Sequence, residues 1–173
     1  MENIEAAMKR IPPHSIEAEQ AVLGAMLMNK DAVMVASEII TGEDFYQTAY
    51  GIIFDSVVDL FKAGKPADLI TLQEKLKEKN VPPEISSMEF VKDLLEGTQT
   101  SANVKYYAEI VRDKAILRKL IRINEETANT CYLENEPLEE ILEKTEKQVF
   151  ELVEHGNSQE YVPIRQVVLN ALD

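Results

Sequence analysis

A long stretch without glycine or proline constrains the fold of this chain more than any other feature. From Asn103 to Leu133 the sequence contains neither residue. Apolar residues recur there every three or four positions, which is typical of an α-helix. A helix of about 30 residues is about 45 Å long at 1.5 Å per residue. Pro137 suits the first turn of a second helix that ends at Gly156. The sequence therefore predicts an antiparallel helical hairpin over residues 101–156.

The residues before the hairpin predict shorter helices. Ser15 and Asn29 are good N-caps. Gly64 is placed to end a helix over residues 47–63. Two capping boxes begin at Thr71 and Ser86.

The overall organisation follows from these helices. Alternation typical of strands is nearly absent, so the predicted fold class is all-α: a small helical globular head, a long antiparallel helical hairpin and a short linker helix. The head spans residues 15–100, after a flexible N-terminal arm over residues 1–14. We expect residues 157–173 to form a polar linker and the start of an amphipathic helix that the sequence leaves unfinished.

Composition excludes several classes of protein. The chain carries 18 lysine and arginine residues against 31 aspartate and glutamate residues, a net charge of −13. This balance disfavours a free-standing binder of duplex DNA. Cys131 is the one cysteine, so no internal disulfide can form and a reducing, cytoplasmic location fits. The sequence has no apolar run of membrane-spanning length, and we expect no signal peptide because its N-terminus is charged and lacks an apolar core.

Catalytic patterns are missing from the sequence. Gly64-Lys65 is followed by Pro66 and lacks the earlier glycine of a phosphate-binding loop. His14, His155 and Cys131 do not form a pattern of metal ligands. A nucleophile pair of Cys131 and His155 is conceivable, but a seam cysteine and a solvated histidine explain both residues better. We therefore expect no enzyme activity, no cofactor and no metal in this chain.

A basic cluster lies in the first half of the long helix. Between residues 105 and 122 there are six basic side chains and two acidic ones: Lys105, Arg112, Lys114, Arg118, Lys119 and Arg122 against Glu109 and Asp113. One interpretation is a weak surface for nucleic acid or an acidic partner. The other, which we favour, is pairing of Arg118 and Lys119 with glutamates of the second hairpin helix, such as Glu139, Glu140, Glu143 or Glu146.

The long helix carries more apolar surface than one partner helix covers. Its apolar residues form two stripes instead of one. We predict self-association through these stripes, although folding of the hairpin onto the head is the alternative. The candidate residues are Tyr107, Ile110, Ile116, Leu117, Leu120 and Ile123.

Several segments resemble one protein family. The segment from Ile11 to Ala25, IPPHSIEAEQAVLGA, closely resembles the opening of bacterial replicative DNA helicases of the DnaB family. Further similarity is found in the segments EDFY at 43–46, DLITL at 68–72, ANVKYYAEIV at 102–111 and LRKLIR at 117–122. The resemblance covers nearly the whole chain after residue 10.

The resemblance implies a role in DNA replication. In this family an N-terminal domain, made of a helical head and a hairpin, forms a collar on a helicase ring, with six copies arranged as a trimer of dimers. ATP and Mg²⁺ belong to a separate ATPase domain, so the complete protein would unwind DNA while this chain would not catalyse. DNA would be bound mainly by the full-length ring.

The resemblance also implies partners. The collar binds the helicase-binding domain of primase, and a helicase loader is a further candidate partner. By matching motif, the candidate primase contacts are Phe90, Ile121 and, more weakly, Thr127. Residues Ile164, Val167 and Val168 match the linker-helix face that docks on a neighbouring ATPase domain.

The sequence departs from the family pattern at two places. Pro82-Pro83 stands where a Gly-Gly is common, and Tyr50 replaces a histidine before Ile-Phe. Both changes bear on local packing. The alternative function is a stand-alone helical adaptor or helicase-loading factor without an ATPase domain.

Overall fold

The computed structural model describes residue 4, residues 8–97 and residues 102–156. These residues contain no strand, and the predicted all-α class is confirmed. The helices are α1 (Ile16–Met28), α2 (Lys30–Ile39), α3 (Thr48–Lys62), α4 (Leu69–Glu78), α5 (Pro83–Ser86), α6 (Met88–Glu96), α7 (Val104–Leu133) and α8 (Leu138–Gly156), with a 3₁₀ turn at Gly42–Asp44 between α2 and α3.

Local signals start and stop several helices as the sequence predicts. The Ser15 hydroxyl accepts the Ala18 N–H at 3.2 Å, and the Asn29 side chain accepts the Asp31 N–H at 2.9 Å. Gly64 follows α3 with a φ of 68°, a left-handed conformation that glycine adopts without steric cost. The predicted long helix is α7, which spans 30 residues.

Two predicted capping boxes are wrong in position. Helix α4 begins three residues earlier than Thr71 implied, because the Asp68 carboxylate accepts the Ile70 and Thr71 N–H groups and Thr71 becomes the third residue of the helix. Helix α6 is capped by Ser87 instead of Ser86, since Ser87 Oγ accepts the Phe90 N–H at 3.1 Å. Residues before Ser87 form the one-turn helix α5.

The chain divides into two compact units, Met1–Ala115 and Ile116–Asp173. The core of the first unit combines buried side chains from α1, α3, α4, α6 and the start of α7, among them Leu23, Phe54, Leu72, Val91 and Val111. These helices each bury one face, as their apolar spacing of three and four requires. The predicted boundary between head and hairpin stays a prediction.

A close approach inside the first unit depends on glycine. A Cβ added to Gly51 in α3 would collide with the carbonyl oxygen of Gly42 in the 3₁₀ turn. The turn can therefore lie directly against α3 only because Gly51 has no side chain. The Asp55 carboxylate, one turn further along α3, accepts the Gly42 N–H at 3.1 Å.

Candidate interaction site

The second unit is built around a seam between the two hairpin helices. Ile123 of α7 and Ile141 and Leu152 of α8 are buried there. Thr127 and Thr145 place their hydroxyl oxygens 3.5 Å apart. Near the other end, a Cβ on Gly156 would lie 3.7 Å from Ile116 Cδ1. Ile116 lies eleven residues before Thr127 in α7, and Gly156 lies eleven residues after Thr145 in α8. The two helices are therefore antiparallel.

Many apolar side chains of the second unit remain exposed outside the seam. In α8, Leu142, Val149 and Val153 are spaced by seven and four residues, so they form a second apolar stripe beside the seam. We call the exposed set the hairpin apolar surface: Leu117, Ile121, Tyr132, Leu133, Leu138, Leu142, Val149, Phe150 and Val153. Exposed apolar side chains in this number make the second unit a candidate for contact with another molecule.

The predicted self-association residues occupy different environments. Leu117 is 43% exposed and belongs to the hairpin apolar surface, whereas Ile116 and Leu120 are half-buried. Ile123 is buried in the seam. Tyr107 and Ile110 pack against the core of the first unit. The sequence analysis predicted excess apolar surface on α7 alone. It missed the exposed stripe of Leu142, Val149 and Val153 on α8, although their spacing of seven and four residues is visible in the sequence.

The predicted primase contacts lie in both units. Phe90 is half-buried, and its ring centroid is 5.9 Å from that of Tyr50. Ile121 is 43% exposed, and Thr127 is half-buried beside Thr145. Phe90 and Ile121 therefore both retain accessible apolar surface. The predicted docking residues Ile164, Val167 and Val168 lie outside the described residues.

Tyr50, where the sequence departs from the family pattern, fills a packed position. Its side chain is buried, and its hydroxyl accepts the Gln20 amide N–H at 2.8 Å. The hydroxyl thus links α3 to α1 while the ring supports Phe90. Tyr50 therefore has a packing role at this position.

The basic cluster is partly neutralised within α7. Arg112 contacts the neighbouring Asp113 at 3.1 Å, and Arg122 lies 3.9 Å from Glu126, one turn along the helix. These two arginines form ion pairs with carboxylates of their own helix. The pairing predicted for Arg118 and Lys119 is with glutamates of the other hairpin helix. That cross-hairpin pairing stays a prediction.

The structure separates Cys131 from His155. The hairpin register places Cys131 close to the loop between the helices, while His155 lies in the last turn of α8. Position 141, opposite Cys131, is 14 residues from His155, about 21 Å along the helix. The two side chains cannot form a catalytic pair. Within residues 8–97 and 102–156, no three His, Cys, Asp or Glu side chains are grouped so that they could hold a metal ion.

Comparison with known proteins identifies the class of domain. The family model described as "DnaB-like helicase N terminal domain" matches residues 11–113, and the chain belongs to this family. A solved structure, the N-terminal domain of DnaB helicase from Mycobacterium tuberculosis, superposes with a TM-score of 0.75 at 32% identity, covering 80% of this chain and 99% of that one.

Individual relatives are replicative helicases. The chain is 34% identical to the replicative DNA helicase DnaC of Bacillus subtilis and covers 36% of that protein, with 95% of this chain aligned. It is 35% identical to DnaB of Geobacillus stearothermophilus, where 98% of this chain aligns with 37% of the relative. The chain thus spans little more than a third of the length of these relatives and corresponds to the N-terminal domain of a replicative helicase. No helix that the structure describes is both long and apolar enough to cross a membrane.

Proposed function

We propose that this chain is the collar of a DNA-unwinding helicase ring and that it self-associates through the hairpin apolar surface. The observation that carries the proposal is the second apolar stripe of α8, which the seam leaves exposed. A dimer that pairs this stripe with its copy would remove the stripe from water, at about 25 cal/mol per Å² of apolar area. The hexameric ring would be three such dimers.

We further propose that ATP, Mg²⁺ and most of the DNA bind to the ATPase domain, which would lie in the part of the full-length helicases that this chain does not cover. Catalysis of unwinding would then reside outside these residues. The domain would act in the cytoplasm, where the chromosome is copied. The alternative, a stand-alone adaptor or loading factor, lacks support, because the relatives matched are replicative helicases.

The proposal further assigns primase recruitment to the collar, with Phe90 and Ile121 as apolar anchors and Thr127 as a weaker contact. Half-exposed aromatic and aliphatic side chains are suited to hold a partner helix. The helicase loader remains a second candidate partner for the assembled ring. Ile164, Val167 and Val168 are proposed to dock on a neighbouring ATPase domain.

A measurement of mass in solution tests the self-association step. We expect the parent chain to sediment as a dimer or larger species at micromolar concentration. Leu142→Asp places a charge on the exposed α8 stripe and should yield a monomer with unchanged helical content by circular dichroism. Asn135→Asp, in the exposed loop between α7 and α8, adds the same charge and should leave the mass unchanged. A monomeric parent at 100 micromolar, or an unaffected Leu142→Asp variant, would refute association through this surface.

A further inference from the structure

A groove of about 190 Å³ lies in the first unit, lined by residues that have no role in the surfaces described above. It is formed where α1 ends and α2 begins, and where α3 ends and the loop leads to α4. Met26 and Val33 form a buried floor, and Phe61 and Ala67 are half-buried in the walls. Met28, at the rim, is 52% exposed.

The groove walls are held in place by their own hydrogen bonds. On one side the Asn29 side chain caps α2 by accepting the Asp31 N–H at 2.9 Å. On the other side the Thr71 hydroxyl donates to the Pro66 carbonyl at 2.7 Å. A binding site whose backbone is already fixed loses little conformational entropy when a ligand enters it.

The rim of the groove is positive in an otherwise acidic chain. Lys30 and Lys65 are exposed at the rim, and within the described part of the chain neither has a carboxylate at ion-pair distance. Asp68 also lines the groove, but its carboxylate accepts the Ile70 and Thr71 N–H groups. Asn29 and Asp68, the N-cap residues of α2 and α4, both line the groove. The dipole of α2 adds positive potential there, while the charge of Asp68 offsets the dipole of α4, so the two lysines keep a net positive rim.

The size of the groove limits its occupant. Sites for drug-sized molecules and cofactors occupy about 300–1,000 Å³, so 190 Å³ is too little for such a ligand. It is enough to seat one or two apolar side chains. The flexible methionine at the rim can adapt to the shape of the side chain that enters.

We propose that this groove binds a short acidic segment of another protein. A bulky apolar side chain of that segment would occupy the groove, and flanking carboxylates would pair with Lys30 and Lys65. The apolar contact would supply most of the affinity, and the charges would select acidic segments over basic ones. The residues that line the groove include none of the hairpin apolar surface and none of the primase contacts proposed above.

A peptide titration of the full chain tests this site. The probe is acetyl-Glu-Asp-Leu-Phe-Asp-Glu-amide, and the readout is the methyl resonances of ¹³C-labelled methionine, which report on Met26 and Met28 directly. We expect saturable shifts of these two signals, with affinity that falls as salt concentration rises. A peptide with alanine in place of Leu-Phe, and one with lysine in place of every acidic residue, should each bind at least tenfold more weakly.

Matched variants locate the binding site. Lys30→Glu combined with Lys65→Glu should weaken binding of the probe at least tenfold. Lys77→Glu combined with Lys147→Glu makes the same change in net charge at exposed positions outside the groove lining and should change affinity less than twofold. Ala67→Leu fills the groove while keeping both lysines, so it separates the apolar contact from the charges and should also abolish binding.

Several results would overturn the proposal. These are unchanged methionine signals at millimolar probe, equal binding of the lysine peptide, or full binding by the Lys30→Glu and Lys65→Glu double variant. Shifts of the Met26 and Met28 signals with chain concentration alone, in the Leu142→Asp variant and in the absence of peptide, would identify a second copy of this chain as the occupant and would equally refute it.

Discussion

At the scale of single residues, one buried carboxylate organises the start of α3. Glu19 of α1 is 1% exposed, and its two oxygens accept the Tyr46 N–H at 2.6 Å and the Gln47 N–H at 3.3 Å. Gln47 occupies the N-cap position of α3 without capping it by its own side chain. Glu19 of α1 therefore fixes the two residues that lead into α3, whereas Ser15 caps its own helix by accepting the N–H of that helix's third residue. These two hydrogen bonds join residues that are 27 and 28 positions apart in the chain. Such contacts have no local sequence signature, so the sequence could not predict them.

Removal of the Glu19 carboxylate should destabilise the first unit. In Glu19→Ala, two backbone N–H groups in a partly buried position lose their acceptor, which costs about 2 kcal/mol in free energy of unfolding. Urea denaturation followed by circular dichroism measures the change. Glu17→Ala removes an exposed carboxylate from the same helix and should cost only a few tenths of a kcal/mol. Equal losses in the two variants would contradict the role given to Glu19.

Gly51 is a second residue where side-chain size decides stability. Gly51→Ala would push a methyl group into the carbonyl oxygen of Gly42, a backbone atom that can move only with its turn. We expect a loss of about 2 kcal/mol, in the range typical of overpacking. Gly97→Ala is the matched control, because its Cβ would lie 3.4 Å from the Asp93 carbonyl oxygen with φ at −74°. Comparable thermal midpoints for both variants would show that the Gly42 turn is not held against α3.

At the scale of whole elements, the sequence predicted helices well and their first residues less well. The Ser15 and Asn29 caps were found because both residue types favour the N-cap position and each precedes a segment with helical apolar spacing. Asp68 was missed because Thr71 offered a second acceptor three residues later, and the pattern of a capping box fits either choice. In the structure the two act together: Asp68 caps the helix and the Thr71 side chain accepts the Asp68 N–H at 3.0 Å.

The cap of α4 gives a pH dependence with a definite sign. The N–H of Thr71 and then other hydrogen bonds from Thr71 and Ile70 stabilise the Asp68 carboxylate and lower the pKa of Asp68 below its ordinary value of 3.8. A lowered pKa in the folded state means that the ionised cap stabilises the fold above about pH 3.8. That contribution is lost as the pH falls through the lowered pKa.

Asp68→Asn keeps a side-chain oxygen at the cap but cannot ionise. The parent should therefore be more thermostable than Asp68→Asn at pH 7, and the difference between their midpoints should shrink as the pH falls from 4 to 2. Exposed Asp31→Asn provides a reference for the loss of one carboxylate elsewhere. A difference that is constant from pH 7 to pH 2 would show that ionisation of Asp68 does not support α4.

The hairpin shows how far helical periodicity can define an interaction site. Spacing alone identified both helices, and it identified excess apolar surface on α7 as well. It could not tell which of the two α7 stripes faces α8, because both repeat every three or four residues. Only the register, with Thr127 opposite Thr145, assigns Ile123 to the seam and Leu117 to the exposed side.

At the scale of the whole molecule, the proposed primase contacts are drawn from both units, so a useful test must measure binding by the intact chain. The proposed apolar anchors sit on a strongly acidic molecule of net charge −13. A partner that contacts it must offer both apolar pockets and tolerance of negative charge. If the chain recruits primase, loss of an apolar anchor should therefore weaken the affinity for primase more than a change of one surface charge does.

Calorimetric titration with the helicase-binding domain of the cognate primase measures this directly. We expect saturable binding of the parent and at least a tenfold loss of affinity in both Phe90→Ala and Ile121→Asp, because each removes an anchor. Asn135→Asp adds the same charge as Ile121→Asp in an exposed loop and should leave the affinity unchanged. Phe90 packs against Tyr50, so circular dichroism must first show that Phe90→Ala remains folded. Absence of binding by a parent chain that forms its dimer would limit the collar to assembly of the ring, since the anchors would then be present on an assembled surface and still fail to recruit primase.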